Sequence, residues 1–359
     1  MESEIGPRGD TLKVERVDST EAARGRILTV CIPAHRRPVE LKRCLQSLVD
    51  KGFLRQGVRV IVCDNSGGYD EVMHTVQDFM SAGVEYARNP THISMERNLI
   101  KSAMFSNSEF TWIFGDDDYL EDAFELDALL TILEVTLSEV IVLNKTRRRP
   151  NGELVSSNWM DLPSSSLTTK SFLDFTSSWG WISILGFIST TIFRTAPFLE
   201  ATNGEYLGMQ YPHLCVLTQA FWRSSVLVVG NPVLCHTSPT PEQKRTAMHG
   251  EHELQFYVDV EFRDQWFFGH QMARRIAYLV DHGVPYSLFE RAIEVLWSQS
   301  TVELLCKNLI SSARDFEVSS SDWQMTIQSL DNLPLSTYRI QELNAGFASI
   351  DLQVSGRCV

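Results

Sequence analysis

Phe110-Thr111-Trp112-Ile113-Phe114 runs without a break into Gly115-Asp116-Asp117-Asp118-Tyr119. Five aromatic and β-branched residues closed by Gly and Asp read as a short buried strand that ends in a tight acidic turn. The same punctuation occurs upstream. Ile27 to Ile32 is an apolar run ended by Pro33, and Val39 to Val49 follows with Leu41, Leu45, Leu48 and Val49 at helical spacing. Val58 to Cys63 leads into the turn Asp64-Asn65-Ser66-Gly67-Gly68 and then a helical stretch ending near Ala82-Gly83. A third run, Val84 to Ala87, precedes Asn89-Pro90 and a helix from Ser94 to about Ser106. Buried strands alternating with helices predict an α/β domain, a Rossmann-like, mostly parallel sheet with helices on both faces. Ligands of such sheets bind beyond the carboxyl ends of the strands, so the loops at 33–37, 64–68 and 115–118 should converge on one crevice.

Downstream of Leu120 the pattern predicts a helix to about Thr136 and a strand over Val140 to Leu143. Arg147 to Thr169 reads as irregular or hairpin structure. Trp181 to Phe193 and Val226 to Val229 read as strands, with a helix between them that starts at Pro212, a residue suited to the first helical turn. Beyond Pro241 helical spacing dominates. These shifts divide the chain into a leader at 1–25, an α/β domain at 26–240 and a mainly helical C-terminal region at 241–359.

Composition narrows the classes. With 43% hydrophobic and 21% charged residues the 359-residue chain is an ordinary globular protein. A formal net charge of -13 disfavours nucleic acid as a partner, since the one basic run is Arg147-Arg148-Arg149, which reads as a solvated face. The seven cysteines form no C-x-x-C pair and read as reduced thiols of a cytoplasmic protein. The leader mixes charge with Gly and Pro and has no apolar core. No stretch approaches the roughly 18 to 20 uninterrupted apolar residues of a membrane span, so any membrane contact, as at the inner face, is peripheral. The oligomeric state is left open, a homo-oligomer included.

Carboxylates at i and i+2 in a turn after a buried strand can place one oxygen on a hard divalent cation and another on a ribose or a metal-bound water. Asp116 and Asp118 fit that pattern, with Mg²⁺ or Mn²⁺ bridging diphosphate oxygens. The alternative is a solvated acidic turn that caps the next helix.

The motifs Thr29-Val30-Cys31-Ile32-Pro33, Val62-Cys63-Asp64-Asn65-Ser66-Gly67, Asn89 with Arg97-Asn98, and Phe114-Gly115-Asp116-Asp117-Asp118 together resemble the family 2 glycosyltransferases of the GT-A fold. The triple Asp is similar, less closely, to the members that add deoxysugars in O-antigen assembly, such as abequosyltransferases. The resemblance implies a nucleotide diphosphate-sugar donor and a glycan or lipid-linked saccharide acceptor. It implies that Pro33, Ala34, His35 and Arg36 lie against the nucleoside and that Asp64, beside Asn65, accepts a hydrogen bond from the base. The alternative for Asp64 read alone is an Asx-turn residue that starts the turn Asn65-Ser66-Gly67-Gly68. Arg97 is implied to point from its helix toward the diphosphate, with an exposed helix arginine as the alternative. Asp116 becomes the ribose-side carboxylate and Asp118 the metal ligand, with Asp117 between them in the donor-binding turn. His236 stands where relatives complete the metal shell or touch the β-phosphate, and Thr237 to Arg245 reads as a closing loop or a linker.

An inverting transfer needs a general base for the acceptor hydroxyl. Relatives supply an acid after the strand matched by Trp181 to Phe193, but Tyr206 to His213 lacks the acidic pair. His213, at a helix N-terminus that favours the neutral imidazole, is the first candidate and Glu205 the second. Two other readings stay open. A sugar-phosphate nucleotidyltransferase would carry a Gly-rich phosphate loop, which Cys31 to Arg36 lacks. A catalytically inactive sugar-nucleotide- or glycan-binding protein would explain the missing acid.

Overall fold

The computed structural model describes residues 26–55, 57–149, 151–181, 185–202, 211–237 and 275–290. It opens with β1 (Leu28–Ala34), α1 (Pro38–Asp50), β2 (Val58–Asp64), α2 (Glu71–Met80), β3 (Glu85–Arg88), α3 (Met95–Met104), β4 (Phe110–Ile113), β5 (Tyr119–Leu120) and α4 (Leu126–Val135). Then come β6 (Val140–Arg148), β7 (Leu154–Ser156), β8 (Leu167–Ser171), α5 (Phe172–Trp179), β9 (Thr191–Arg194), α6 (Thr195–Glu200), α7 (Pro212–Phe221) and β10 (Ser225–Thr237).

Local chemistry explains the boundaries. Pro38 pre-sets the first turn of α1, and Leu41, Cys44, Leu45 and Leu48 form its buried stripe. Each buried leucine of this kind contributes about 1.5–3 kcal/mol of apolar transfer free energy. Ser94 caps α3 by accepting from the Arg97 backbone N–H at 3.4 Å. Ser171 caps α5 in the same way.

The described strands form one ten-stranded sheet with a main path in the order β3-β2-β1-β4-β9-β6-β10-β5. β1, β2, β3 and β4 pair in parallel, as the alternation predicts. β9 lies antiparallel between β4 and β6, and β10 runs parallel to β6. Two apolar cores cover the two faces. Val30, Ile32, Ile141 and Leu143 pack with α1, α2 and α4 on one face. Val140, Val142, Val226 and Val228 pack with α3, α5 and α7 on the other.

One predicted strand is shorter than its apolar run. The chain enters β9 at Thr191, after a 3₁₀ turn at Ile188–Thr190. Trp181 instead packs in the helical layer, where its indole donates to Thr218 Oγ1 at 2.7 Å and its ring meets Phe289 edge-on at 4.9 Å. A continuous apolar run suits a buried helix as well as a strand, and periodicity does not separate them. Phe289 also brings residues 275–290, with Ile276, Leu279 and Leu288, into the core of this face. The boundary read near 240 lies outside the described residues. Among the described residues no helix is long and apolar enough to cross a membrane.

Candidate functional site

The turn after β4 is built around a glycine that nothing larger can replace without movement. A Cβ on Gly115 would stand 2.8 Å from Asp118 Oδ2. That space is taken by the Asp118 carboxylate, which is buried. Its Oδ2 accepts from Ser189 Oγ at 2.6 Å and its Oδ1 lies 3.0 Å from His236 Nδ1. Ser189 in turn accepts from the Gly115 backbone N–H at 2.9 Å, so the 3₁₀ turn before β9 clamps the acidic turn. Asp116 faces the other way: Oδ2 accepts from the His35 backbone N–H at 3.2 Å and Oδ1 from Arg37 at 3.4 Å. Burial raises both carboxyls; Asp116 is pushed up to about 7 despite Arg37, and Asp118 is raised despite its bond to His236.

The loops after β1 and β2 close on this turn. His35 Nδ1 lies 3.1 Å from the Asn65 carbonyl, and the Arg36 backbone N–H donates to Ser66 Oγ at 3.0 Å. Arg36 takes a left-handed φ of 50°, a conformation that a non-glycine residue holds only where its surroundings fix it. Pro33 and Ala34 lie in register with Cys63 and Asp64 and carry the chain into this bend. Arg37 reaches Asp117 at 2.9 Å as well as Asp116, and Arg43 of α1 donates to the Asp117 carbonyl and to Thr237 Oγ1, both at 2.9 Å. The motifs did not single out these two arginines. The signal was their position, at the strand end and one turn into the helix that follows.

Asp64 is fully buried; Oδ1 accepts from the Ser66 backbone N–H at 2.8 Å and Oδ2 from the Tyr86 hydroxyl at 2.6 Å. The Asx turn is thus present, and Arg88 Nε lies 3.6 Å from Oδ2, so this buried carboxylate is engaged from three sides by the protein. Asn65 works on the protein itself. Its Oδ1 accepts from Asn89 and from the Ile93 backbone N–H, each at 3.0 Å, and its Nδ2 donates to the Ile93 carbonyl at 2.6 Å. Asn89 continues the knot to Asn98 at 2.9 Å and Lys101 at 2.7 Å. This fixes the start of α3, on which Arg97 is exposed and has no side-chain hydrogen bond or ion pair among the described residues.

The far wall comes from the second half of the sheet. His236 sits on β10 with its ring 4.6 Å from Phe187, and Phe187 lies 3.1 Å under the Lys145 ammonium. Trp159 covers the same ammonium at 4.6 Å. Lys145 was not singled out from sequence, because a lone lysine at the end of a strand carries no motif. Burial pulls it down to about 7, opposed by Asp118. His213 is not brought into this cluster: it is buried, Nε2 lies 3.2 Å from the Gly186 carbonyl and Nδ1 has no hydrogen-bond partner among the described residues. Burial lowers it to about 4. It holds the turn that carries Phe187. Glu205 and the stretch after Thr237 lie outside the described residues.

The donor set fits a hard divalent cation bound mainly through a ligand. Among the described residues no three His, Cys, Asp or Glu side chains are gathered as a preformed metal cage. Asp116 and Asp118 are buried, Asp116 pairing with Arg37 and Asp118 with His236, so a cation here would find two protein carboxylates and would need its other oxygens from a ligand.

Residues 29–185 match the family model for glycosyl transferase family 2. Abequosyltransferase RfbV of Salmonella typhimurium is 21% identical over 209 residues, which are 54% of this chain and 61% of that protein. A crystal structure of S. aureus TarS superposes with a TM-score of 0.61 at 13% identity, over 90% of this chain and 54% of that one. TarS 1–349 superposes at 0.50 with 15% identity over 92% of each chain. The chain thus spans 61% of the Salmonella protein and 54% of the longer TarS structure. Four ordered motifs, three of them bonded together at the strand ends, lie within the stretch 29–185 that is similar to glycosyl transferase family 2, and the fold is the GT-A fold shared with TarS.

Proposed function

We propose that the protein moves a hexosyl or deoxyhexosyl group from a nucleotide diphosphate-sugar to a hydroxyl of a saccharide or lipid-linked glycan acceptor, with inversion. The observation that carries this is the bonding of the loops after β1, β2 and β4 around Asp116 to Asp118. In this reading His35 and Asp64 line the nucleoside end. Asp118 and His236, with Asp116 across the same turn, would hold Mn²⁺ or Mg²⁺, which would supply positive charge to the departing diphosphate. Arg37 orients Asp116 and Asp117 from one side, and Ser189 fixes Asp118 from the other. Arg97 is placed to meet phosphate oxygens from the start of α3.

In the transfer the acceptor oxygen bonds to the anomeric carbon, the bond from that carbon to the distal phosphate oxygen breaks, and a base takes the hydroxyl proton. The burial of His213 and its low basicity support Glu205 for that role. The name of the Salmonella relative supports glycosyl transfer as the reaction.

The test is calorimetric binding and slow donor hydrolysis with UDP-, GDP-, CDP- and dTDP-sugars in the presence of Mn²⁺. The expected result is metal-dependent binding of at least one donor. Failure of all four to bind sinks the reading.

A further inference from the structure

Lys145 is a charge without a direct hydrogen-bond or ion-pair partner among the described residues, and the Asp118 carboxylate acts on it only through space. Its side chain is only 4% exposed, two aromatic rings lie against its ammonium, and no hydrogen bond or ion pair engages Nζ among the described residues. An ammonium can donate three hydrogen bonds, and screening most of it from water without protein acceptors is costly, although Nζ itself is not fully enclosed. Cation–π contact with Phe187 and Trp159 offsets part of that cost and supplies no lone pair.

The side chain is nevertheless held with care. The Lys145 carbonyl accepts from the Trp159 backbone N–H at 3.1 Å, which sets the indole beside its own partner. The preceding Asn144 is buried; its Oδ1 accepts from the backbone N–H groups of Lys145 at 2.9 Å and Met160 at 3.1 Å. Its Nδ2 donates to Asn158 Oδ1 at 2.5 Å and to the Gly230 carbonyl at 2.8 Å. Gly230 opens the bulge where the β6–β10 register shifts, between Val229 and Leu234, and a Cβ there would collide with the Pro163 carbonyl. Bulges next to binding sites re-aim side chains. Here the bulge sets the register of the strand ends, so that Leu234 pairs with Lys145 and His236 with Arg147.

Position decides the ligand. The nucleoside loops bond to Asp116, whereas Asp118 bonds to His236, His236 packs on Phe187, and Phe187 lies under Lys145. Lys145 is thus on the flank of Asp118 away from the nucleoside end. A buried cation in need of acceptors is matched best by an anionic oxygen rather than by a neutral hydroxyl.

We infer that Lys145, held between Phe187 and Trp159, binds the distal phosphate of the nucleoside diphosphate. The inference rests on the donor reading above and goes beyond it by assigning the charge that develops on the leaving group to a protein cation.

The probes are UDP, GDP, CDP and dTDP with their monophosphates, titrated in Mn²⁺ into the wild-type protein and Lys145→Met. The expected result is a loss of roughly tenfold to a hundredfold in diphosphate affinity with monophosphate affinity unchanged. The melting temperature should hold or rise, because a buried cation without a direct hydrogen-bond or ion-pair partner has been removed. Lys145→Arg should recover most of the diphosphate preference. Equal losses for both nucleotides, or no loss, would overturn the inference. A loss seen only with sugar-bearing donors would overturn it too, moving Lys145 to the sugar. Should Lys145→Met and Lys145→Gln both fail to fold, the ammonium is structural and the inference falls. If the wild type binds no diphosphate at all, the donor reading itself has failed and takes the inference with it.

Discussion

The two halves of the sheet build their share of the crevice in different ways. From β1 to β4 the polar side chains come from turns at strand ends: His35 and Arg37 after β1, Asn65 after β2, Asp116 to Asp118 after β4. From β6 to β10 they come from the strands themselves, Lys145 and His236, and from the 3₁₀ turn that carries Ser189. A parallel strand must stop and hand over to a helix, so its chemistry gathers at the stop. An antiparallel or bulged strand can deliver a side chain from within its run. The first kind of site announces itself by turn residues, and the second does not.

Asp118 is where the halves meet, and its replacement breaks the comparison most severely. Asp118→Asn keeps the size of the side chain and partners for Ser189 and His236, but removes the charge. The expected loss in sugar transfer is on the order of a thousandfold, the scale of an electrostatic group aimed at a charged transition state. Thermal melting should stay near that of the wild type, since Asp118 is a buried carboxyl already raised by burial. Transfer that survives with its metal dependence unaltered would remove Asp118 from the cation site.

This contrast explains what could be read from the sequence. The alternation through Phe114 gives the parallel strands and the crevice, because apolar runs ended by Pro33, Asp64 and Gly115 are local signals. The inserted β9 was legible only as an apolar run, and its direction is set by partners distant in sequence, β4 and β6. Ser189 was hidden because a serine inside an apolar stretch gains meaning only when Gly115 and Asp118 fold onto it. Lys145 was hidden for the same reason, its aromatic neighbours lying 14 and 42 residues along the chain, at Trp159 and Phe187. His213 was visible as a titratable residue at a helix start, but sequence does not show which way an imidazole is buried.

A second comparison sharpens the first. Each half contains a buried asparagine that ties segments together, Asn89 beside β1 to β4 and Asn144 on β6. Asn89→Ala leaves Asn65, Asn98 and Lys101 short of a partner, and Asn144→Ala does the same to Met160 and Gly230. Each should cost about 2 kcal/mol in denaturant unfolding. Similar losses would mean that both walls are rigid before any ligand arrives. A much smaller loss for Asn144→Ala would mean that the far wall adds little to the stability of the fold.

The smallest expected effect concerns His213 and follows from linkage. Burial lowers its folded pKa to about 4, below the ordinary 6.5 of a histidine, so the folded protein resists the proton that the unfolded chain accepts. Stability from this group is present above the unfolded value and is lost as pH falls toward the folded one. Between about pH 7 and about pH 5.5 the loss should be about 1 kcal/mol. His213→Leu, buried in the same core, should flatten that part of the curve of melting temperature against pH, while Glu205→Gln should not. A His213→Leu curve that keeps the wild-type slope would show the imidazole to be reached by water and protons in solution. It would then be a candidate for the general base again, and the two walls of the crevice would be equally open to the acceptor.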